Sequence, residues 1–246
     1  MEEFPFVENV PFVDMEQMIE VDRAMMFDYK IELIQMMENA GRNLAHLARV
    51  RFLDGDPRGK RVVVLAGTGG NGGGALVCAR RLHNWGADVQ VVVTKSAENF
   101  NPIPAHQLDV IQRMGVRVEV SDSAEYPLTP DLIVDGVIGY SLRGNPRGSA
   151  GAMIAWANQT STPILALDAP SGVDTTTGQV FDPAIQATAT MTLALPKQGL
   201  LSNTVASQIG ELYLADISVP PELYAAPALQ IAVDTIFAQS DIVRLR

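Results

Sequence analysis

The sequence predicts one α/β domain with a mostly parallel sheet that is covered by helices on both faces. Three observations predict it. Short apolar, β-rich runs recur after residue 60, helical patterns separate several of them, and no repeat, low-complexity segment or linker divides residues 1–246. Strands that are buried on both faces are continuously apolar, and strands alternating with helices favour a parallel sheet. The order resembles a Rossmann-like, doubly wound sheet in a three-layer α/β/α domain.

The chain is expected to begin with an arm and two leading helices. Residues 1–14 mix apolar and acidic residues, and their phenylalanines suggest an N-terminal arm that docks on the protein surface. Apolar residues recur at helical spacing from Met15 to Phe27 and again from Ile31 to Phe52. Two helices are therefore predicted before the first strand.

Seven strands and three further helices are predicted from residue 61 onward. The strands are 61–66, 89–94, 116–120, 131–138, 163–168, 189–194 and 212–217, and the helices are 73–86, 102–115 and 148–160. Asn101 suits the N-cap of the middle helix, and Pro102 suits its first turn because proline is tolerated there.

Charge and composition disfavour several classes of protein. The formal net charge of −10 disfavours general nucleic-acid binding, because phosphate backbones attract basic surfaces. The acidic start Met1-Glu2-Glu3 does not fit a signal peptide, and no apolar span reaches about 20 residues. We therefore expect a cytoplasmic protein with no membrane partner. The single cysteine, Cys78, is expected in the core, and the three histidines lack metal-ligand spacing.

The strongest local pattern is the glycine-rich segment Gly67–Ala75, which follows a predicted strand and precedes a predicted helix. Glycines let the backbone approach a ligand closely, and a helix N-terminus offers unpaired N–H groups to an anion. The alternative is a turn that only packs helix against strand. The segment lacks the Gly-Lys-Ser/Thr of a Walker loop, and Thr94-Lys95 supplies no acid for a dinucleotide ribose.

Charged residues follow several other predicted strands. Asp135 and Asp168 lie at strand ends, where a carboxylate can bind a cation, hold a ribose hydroxyl or move a proton. The alternative role for each is to cap the following loop. Arg143 and Arg147 are candidates either for phosphate binding or for surface ion pairs, and Lys197 is a weaker phosphate candidate.

Several motifs together resemble the YjeF N-terminal domain family. They are the glycine-rich segment, Asp-Gly-Val-Ile-Gly at 135–139, Leu-Asp-Ala-Pro-Ser-Gly-Val-Asp at 167–174, Leu-Pro-Lys-Gln-Gly-Leu at 195–200 and, upstream, 16–22 and 37–41. The resemblance covers roughly residues 15–220 with all motifs in order. It implies a homodimer that epimerises the R and S forms of hydrated NADH and NADPH (NADHX and NADPHX). A dehydratase, expected here as a separate chain, would then restore the cofactor.

The resemblance also implies roles for individual residues. A potassium ion (K+) would be held by Asn71, Asp135 and Ser171, whose oxygen atoms suit a hard cation. Substrate contacts would fall on Asp168 and two stretches: Gly70, Asn71, Gly72, Gly73 and Gly74, then Gly139, Tyr140, Ser141, Leu142, Arg143, Gly144 and Asn145. Asp168 is the predicted catalytic acid/base.

The glycine-rich segment departs from the family pattern. The family normally has Gly-Pro-Gly-Asn-Asn-Gly-Gly-Asp-Gly, whereas this chain has Gly70 for an asparagine, Gly74 for an aspartate and Ala75 for the last glycine. An alternative to the epimerase is therefore a catalytically inactive or divergent nucleotide-binding or interaction module on the same fold. An NAD-dependent dehydrogenase is disfavoured because the second strand lacks a ribose-binding acid.

Overall fold

The computed structural model describes residues 4–126 and 129–246, and they form one eight-stranded sheet with helices on both faces. The strand order is β3-β2-β1-β4-β5-β6-β7-β8, and every neighbouring pair is parallel except β7 with β8. The strands are β1 Arg61–Ala66, β2 Asp88–Val93, β3 Arg117–Val120, β4 Leu132–Gly136, β5 Ile164–Leu167, β6 Ala189–Leu193, β7 Glu211–Ala215 and β8 Ile242–Arg244. The predicted fold class is confirmed.

The α-helices are α1 Met15–Phe27, α2 Leu33–Phe52, α3 Gly70–Asn84, α4 Pro102–Arg113, α5 Gly148–Gln159, α6 Ala206–Ile209 and α7 Pro221–Ala225. The bounds of α1 match the prediction. The predicted start of α3 at residue 73 was wrong, because the glycines that were read as a loop form its first turn. Strand β8 was not predicted, since its three residues show no clear period and are held by hydrogen bonds to β7.

Alternate residues of the central strand β1 contact the two helical layers. Val62 and Val64 belong to a core cluster with α2, α3 and α4, whereas Val63 and Leu65 belong to one with α5. Because successive side chains of a strand point to opposite faces, this division places the sheet between two helical layers. Cys78 lies fully buried in α3, as predicted, and burial raises the pKa of its thiol.

The N-terminal arm docks on the far edge of the sheet and on the segment after β6. Phe4 makes edge-to-face contacts with His46 and Tyr213 at 5.7 Å between ring centroids. The N–H of Val13 donates to the carbonyl of Pro196 at 3.0 Å. The expectation of a docked arm is confirmed, although the side chains of Phe6 and Phe12 remain exposed. No helix in the described ranges is both long and apolar enough to cross a membrane.

Candidate functional site

A cleft of about 870 Å³ opens at the carboxyl ends of β1, β4 and β5. Ligands of open parallel sheets bind at this edge, where the strand order reverses between β1 and β4. The cleft is lined by the start of α3, by the loop after β4, by Asp168 and by one side of α1. The cleft therefore brings together three of the segments that the sequence singled out.

The glycine-rich segment forms one wall of the cleft as the first turn of α3. Gly69 is the N-cap, and the first helical N–H groups have no acceptor within the helix until Gly73, whose N–H donates to Gly69 at 3.0 Å. A Cβ on Gly72 would lie 1.8 Å from the carbonyl oxygen of Gly67, so this glycine is required for close packing. In contrast, nothing lies within 4 Å of a Cβ on Gly70, which lines the cleft.

Gly73 and Gly74 are both close-packed, and a Cβ on Gly74 would lie 2.8 Å from a methyl carbon of Leu167. A Cβ on Gly73 would lie 2.3 Å from the sulfur of Met37, and Gly73 does not line the cleft, whereas Gly74 does. The two interpretations of the glycine-rich segment, ligand binding and helix packing, therefore apply mostly to different residues. Gly72 and Gly73 pack the helix against the neighbouring chain, Gly70 and Asn71 face the cleft, and Gly74 does both.

The Asp135 carboxylate lies fully buried at the end of β4. It accepts hydrogen bonds from the Ser171 N–H at 2.8 Å, the Ser171 hydroxyl at 2.6 Å and the Val137 N–H at 3.1 Å. Burial raises the pKa of Asp135 to about 6, and these hydrogen bonds act in the opposite direction. Within the described residues, all of its partners are neutral, and the amide nitrogen of Asn71 is buried without a partner.

Asp168 follows β5 in a backbone conformation that few residues adopt. Its φ is +65°, which aspartate tolerates better than most non-glycine residues. The carboxylate is 4% exposed and is divided between two tasks. Its Oδ1 forms an ion pair with the ammonium of Lys197, and its Oδ2 accepts from the Tyr140 N–H at 3.2 Å.

Asp168 Oδ2 and Asn71 Oδ1 both lie close to Gly139. A Cβ on Gly139 would lie 3.2 Å from each of these two oxygens. A side chain at this position would therefore separate the strand-end carboxylate from the glycine-rich segment. The absence of a side chain lets both polar groups reach the same part of the cleft.

Lys197 lies beneath the cleft and is only 1% exposed. Besides Asp168, its ammonium donates to the Leu193 carbonyl at 2.9 Å and to the Thr192 hydroxyl at 3.4 Å. Three acceptors match its three donors. The suggestion that Lys197 binds phosphate was therefore wrong, because its ammonium is enclosed and already occupied.

Sequence reasoning missed Asp22, which reaches the cleft from α1. The hydroxyl of Tyr140 donates to Asp22 Oδ2 at 2.6 Å, so Tyr140 connects Asp22 through its side chain and Asp168 through its main chain. Burial raises the pKa of Asp22, and burial together with the charge of Asp22 raises the pKa of Tyr140. The only signal in the sequence was the place of Asp22 in the motif at 16–22.

The loop after β4 is divided between the cleft and the surface. Gly139, Tyr140 and Ser141 line the cleft, whereas Leu142, Arg143, Gly144 and Asn145 lie outside its lining. Arg147 and Lys95, which follows β2, also line the cleft. Neither side chain forms an ion pair with the described residues. Substrate contacts by all seven residues of this loop stay a prediction.

Comparisons with known proteins identify the family of this chain. The model of the family described as YjeF-related protein N-terminus matches residues 33–199. The chain belongs to this family. The YjeF-related chain is 39% identical to the NAD(P)H-hydrate epimerase of Dehalogenimonas lykanthroporepellens, over 87% of this chain and 84% of that protein. The crystal structure of yeast ynu0, YNL200c, matches it with a TM-score of 0.79 at 25% identity, over 96% of this chain and 100% of that one.

Some relatives are longer. The chain is 36% identical, over 85% of its length, to the bifunctional NAD(P)H-hydrate repair enzyme Nnr of Moorella thermoacetica. It spans 41% of that enzyme. The YjeF-related domain is therefore one part of a larger protein in that organism.

Proposed function

We propose that this YjeF-related protein is an NAD(P)H-hydrate epimerase that interconverts the R and S forms of NADHX and NADPHX. The observation that carries the proposal is the meeting of Asp168 Oδ2 with Asn71 beside Gly139, in a cleft large enough for a nucleotide. The relative with 39% identity has that name. No structural observation favours the alternative of a catalytically inactive module, since Asp168 is present and forms its ion pair with Lys197.

Epimerisation would proceed in two steps, loss of water and addition of water, and each step includes one proton transfer. The reacting ring carbon carries a hydroxyl and is bonded to the ring nitrogen, so loss of the protonated hydroxyl as water leaves an iminium ion. Water then adds to the other face and releases a proton, which restores the balance of atoms. Asp168 serves as the acid/base at this carbon, because its Oδ2 faces the cleft while Lys197 fixes Oδ1.

We also propose that Asn71, Asp135 and Ser171 hold a K+ ion. Support comes from the donor set, since a fully buried carboxylate with only neutral partners among the described residues lacks a compensating charge. The side chain of Asn71 would contribute a carboxamide oxygen, a ligand type that suits a hard cation. When bound, the ion would supply positive charge near the substrate. Thermal unfolding with potassium against sodium tests it, and equal melting temperatures would refute it.

The quaternary state and the pathway are further parts of the proposal. A homodimer would cover exposed apolar residues of the arm, among which Phe6 and Phe12 stand out. Light scattering that finds only monomer would exclude it. We also propose that the protein works in the cytoplasm, together with a dehydratase that acts on the same cofactor hydrates.

The decisive experiment follows R- and S-NADHX by chromatography after addition of purified protein. We expect the two forms to equilibrate faster than without protein, and faster with potassium than without. Binding of the cofactor hydrates with no gain in the rate of equilibration would instead support a nucleotide-binding module.

A further inference from the structure

Inversion at the hydrated ring carbon needs proton transfer on both faces of the ring. The hydroxyl leaves from one face and takes up a proton as it becomes water. A new water adds to the opposite face and gives a proton away. A carboxylate fixed on one side of a bound ring reaches only one of these two oxygens, since proton transfer requires hydrogen-bond distance. Asp168 alone therefore leaves one face without an acid/base.

A second carboxylate enters the same cleft from a different element. Asp22 lies on α1, whereas Asp168 lies at the end of β5, and both line the cleft. Asp22 Oδ2 accepts the hydroxyl of Tyr140 at 2.6 Å, and no described residue donates a hydrogen bond to Asp22 Oδ1. Tyr140 also lines the cleft, so an ionisable pair stands beside the Asp168 site.

The two carboxylates have different electrostatic surroundings. Asp168 forms an ion pair with Lys197. Asp22 forms no ion pair with the described residues, although the charge of Lys197 acts on it from a distance and lowers its pKa. Its neighbour Arg23 is bound to Glu20 and Asp28 at 2.8 and 2.7 Å. Burial raises the pKa of Asp22. Two carboxyl groups with different surroundings in one cleft are suited to divide the roles of acid and base in one reaction.

We propose that the Asp22–Tyr140 pair is a second proton-transfer group, which serves the face of the ring opposite Asp168. This proposal rests on the proposed epimerase function. In one direction the pair protonates the departing hydroxyl while Asp168 accepts a proton from the incoming water. In the other direction the roles are exchanged. Between turnovers Asp168 gives its proton to solvent and the pair takes one up from solvent, so both groups return to their starting states.

The test is to measure inversion and oxygen exchange separately in Asp22→Asn. Separated R- and S-NADHX are incubated with protein in heavy-oxygen water, and mass spectrometry follows label in each form. In the wild type, every inversion brings in one solvent oxygen. In Asp22→Asn we expect inversion to fall by about 100-fold or more, a usual effect of losing a general acid/base. One form, whose hydroxyl faces Asp168, still exchanges its oxygen without inversion.

The matched control is Glu16→Gln, which removes one negative charge from the exposed side of the same helix. It should leave both rates unchanged. Tyr140→Phe removes only the hydroxyl and should also lower the rate of inversion more than the rate of oxygen exchange. If Asp22→Asn does not fold, this variant tests the proposal in its place. The proposal is overturned if Asp22→Asn inverts at the wild-type rate, or if inversion and exchange fall equally for both forms. A wild type without either activity overturns the epimerase function itself.

Discussion

Two regions of the cleft, which we call its floor and its wall, differ in how their polar groups are paired. The floor comprises Asp135, Ser171, Asp168 and Lys197, and each of their side chains is buried and has a polar partner. The wall comprises Gly70, Asn71 and Gly74, where two positions lack side chains and the third has an amide nitrogen without a described partner. The protein thus fixes the groups that chemistry requires, and it leaves the wall open to the substrate.

This contrast explains how the chain can depart from its family and keep the site. The replacements at Gly70 and Gly74 fall on the wall, where a lost polar contact costs about 0.5–1.5 kcal/mol, or about 1.5–3 kcal/mol if charged. A substitution on the floor would leave a buried charge without its partner, which costs about 3–5 kcal/mol of stability. Substitutions should therefore affect catalysis and stability on the floor, and mainly affinity on the wall.

The largest effect is expected from Asp168→Asn. Loss of the acid/base should lower kcat for epimerisation by about 10²–10⁴-fold. The measurement is the rate of R to S conversion at saturating substrate. Because Lys197 would lose its counter-charge, circular dichroism and a substrate-binding titration must show that the variant is folded. A folded variant with wild-type kcat would remove Asp168 from the mechanism.

Lys197→Met should destabilise the protein by about 3–5 kcal/mol, because it leaves the Asp168 carboxylate buried without its ion-pair partner. Urea unfolding measures the loss. The control is the double variant Asp168→Asn, Lys197→Met, which replaces the ion pair with neutral groups and should recover much of the stability. Activity should stay low in both variants. A single variant as stable as the wild type would contradict the description of the floor.

Within the glycine-rich segment, Gly72→Ala should destabilise by about 1–3 kcal/mol, since its Cβ would lie 1.8 Å from the Gly67 carbonyl oxygen. Gly70→Ala is the matched control, because it adds the same methyl group where nothing lies within 4 Å. Thermal and urea unfolding should separate the two variants. Equal stability would mean that the segment is not divided between packing and cleft as described.

The smallest effect is expected from Gly70→Asn, which restores the family residue on the wall. The open space at this position accepts the side chain, and one regained hydrogen bond is worth about 0.5–1.5 kcal/mol of substrate binding. KM for the cofactor hydrate should fall by about 2- to 12-fold with little change in kcat. A fall in kcat with unchanged KM would show that the wall acts in the chemical step.

The sequence predicted the sheet and much of the floor because both depend on regular patterns. Asp135 and Asp168 each follow an apolar run, and parallel strands bring such ends to one edge. The start of α3 was misplaced because glycine is a poor helix former, and here close packing against Gly67 and Met37 overrides that propensity. The ion pair of Lys197 and the contact of Asp22 with Tyr140 join residues that lie 29 and 118 positions apart, and no local period reports such contacts.

The docked arm has a consequence for how this protein is handled in the laboratory. The carbonyl of Val13 accepts from the Gln198 N–H at 2.9 Å, and its N–H donates to Pro196, so the arm holds the backbone on both sides of Lys197. Trimming the first 13 residues, or pulling on them with a bulky fusion partner, therefore acts on the lysine that orients Asp168. An affinity tag is better placed where it leaves the N-terminal arm free to lie along residues 196–198.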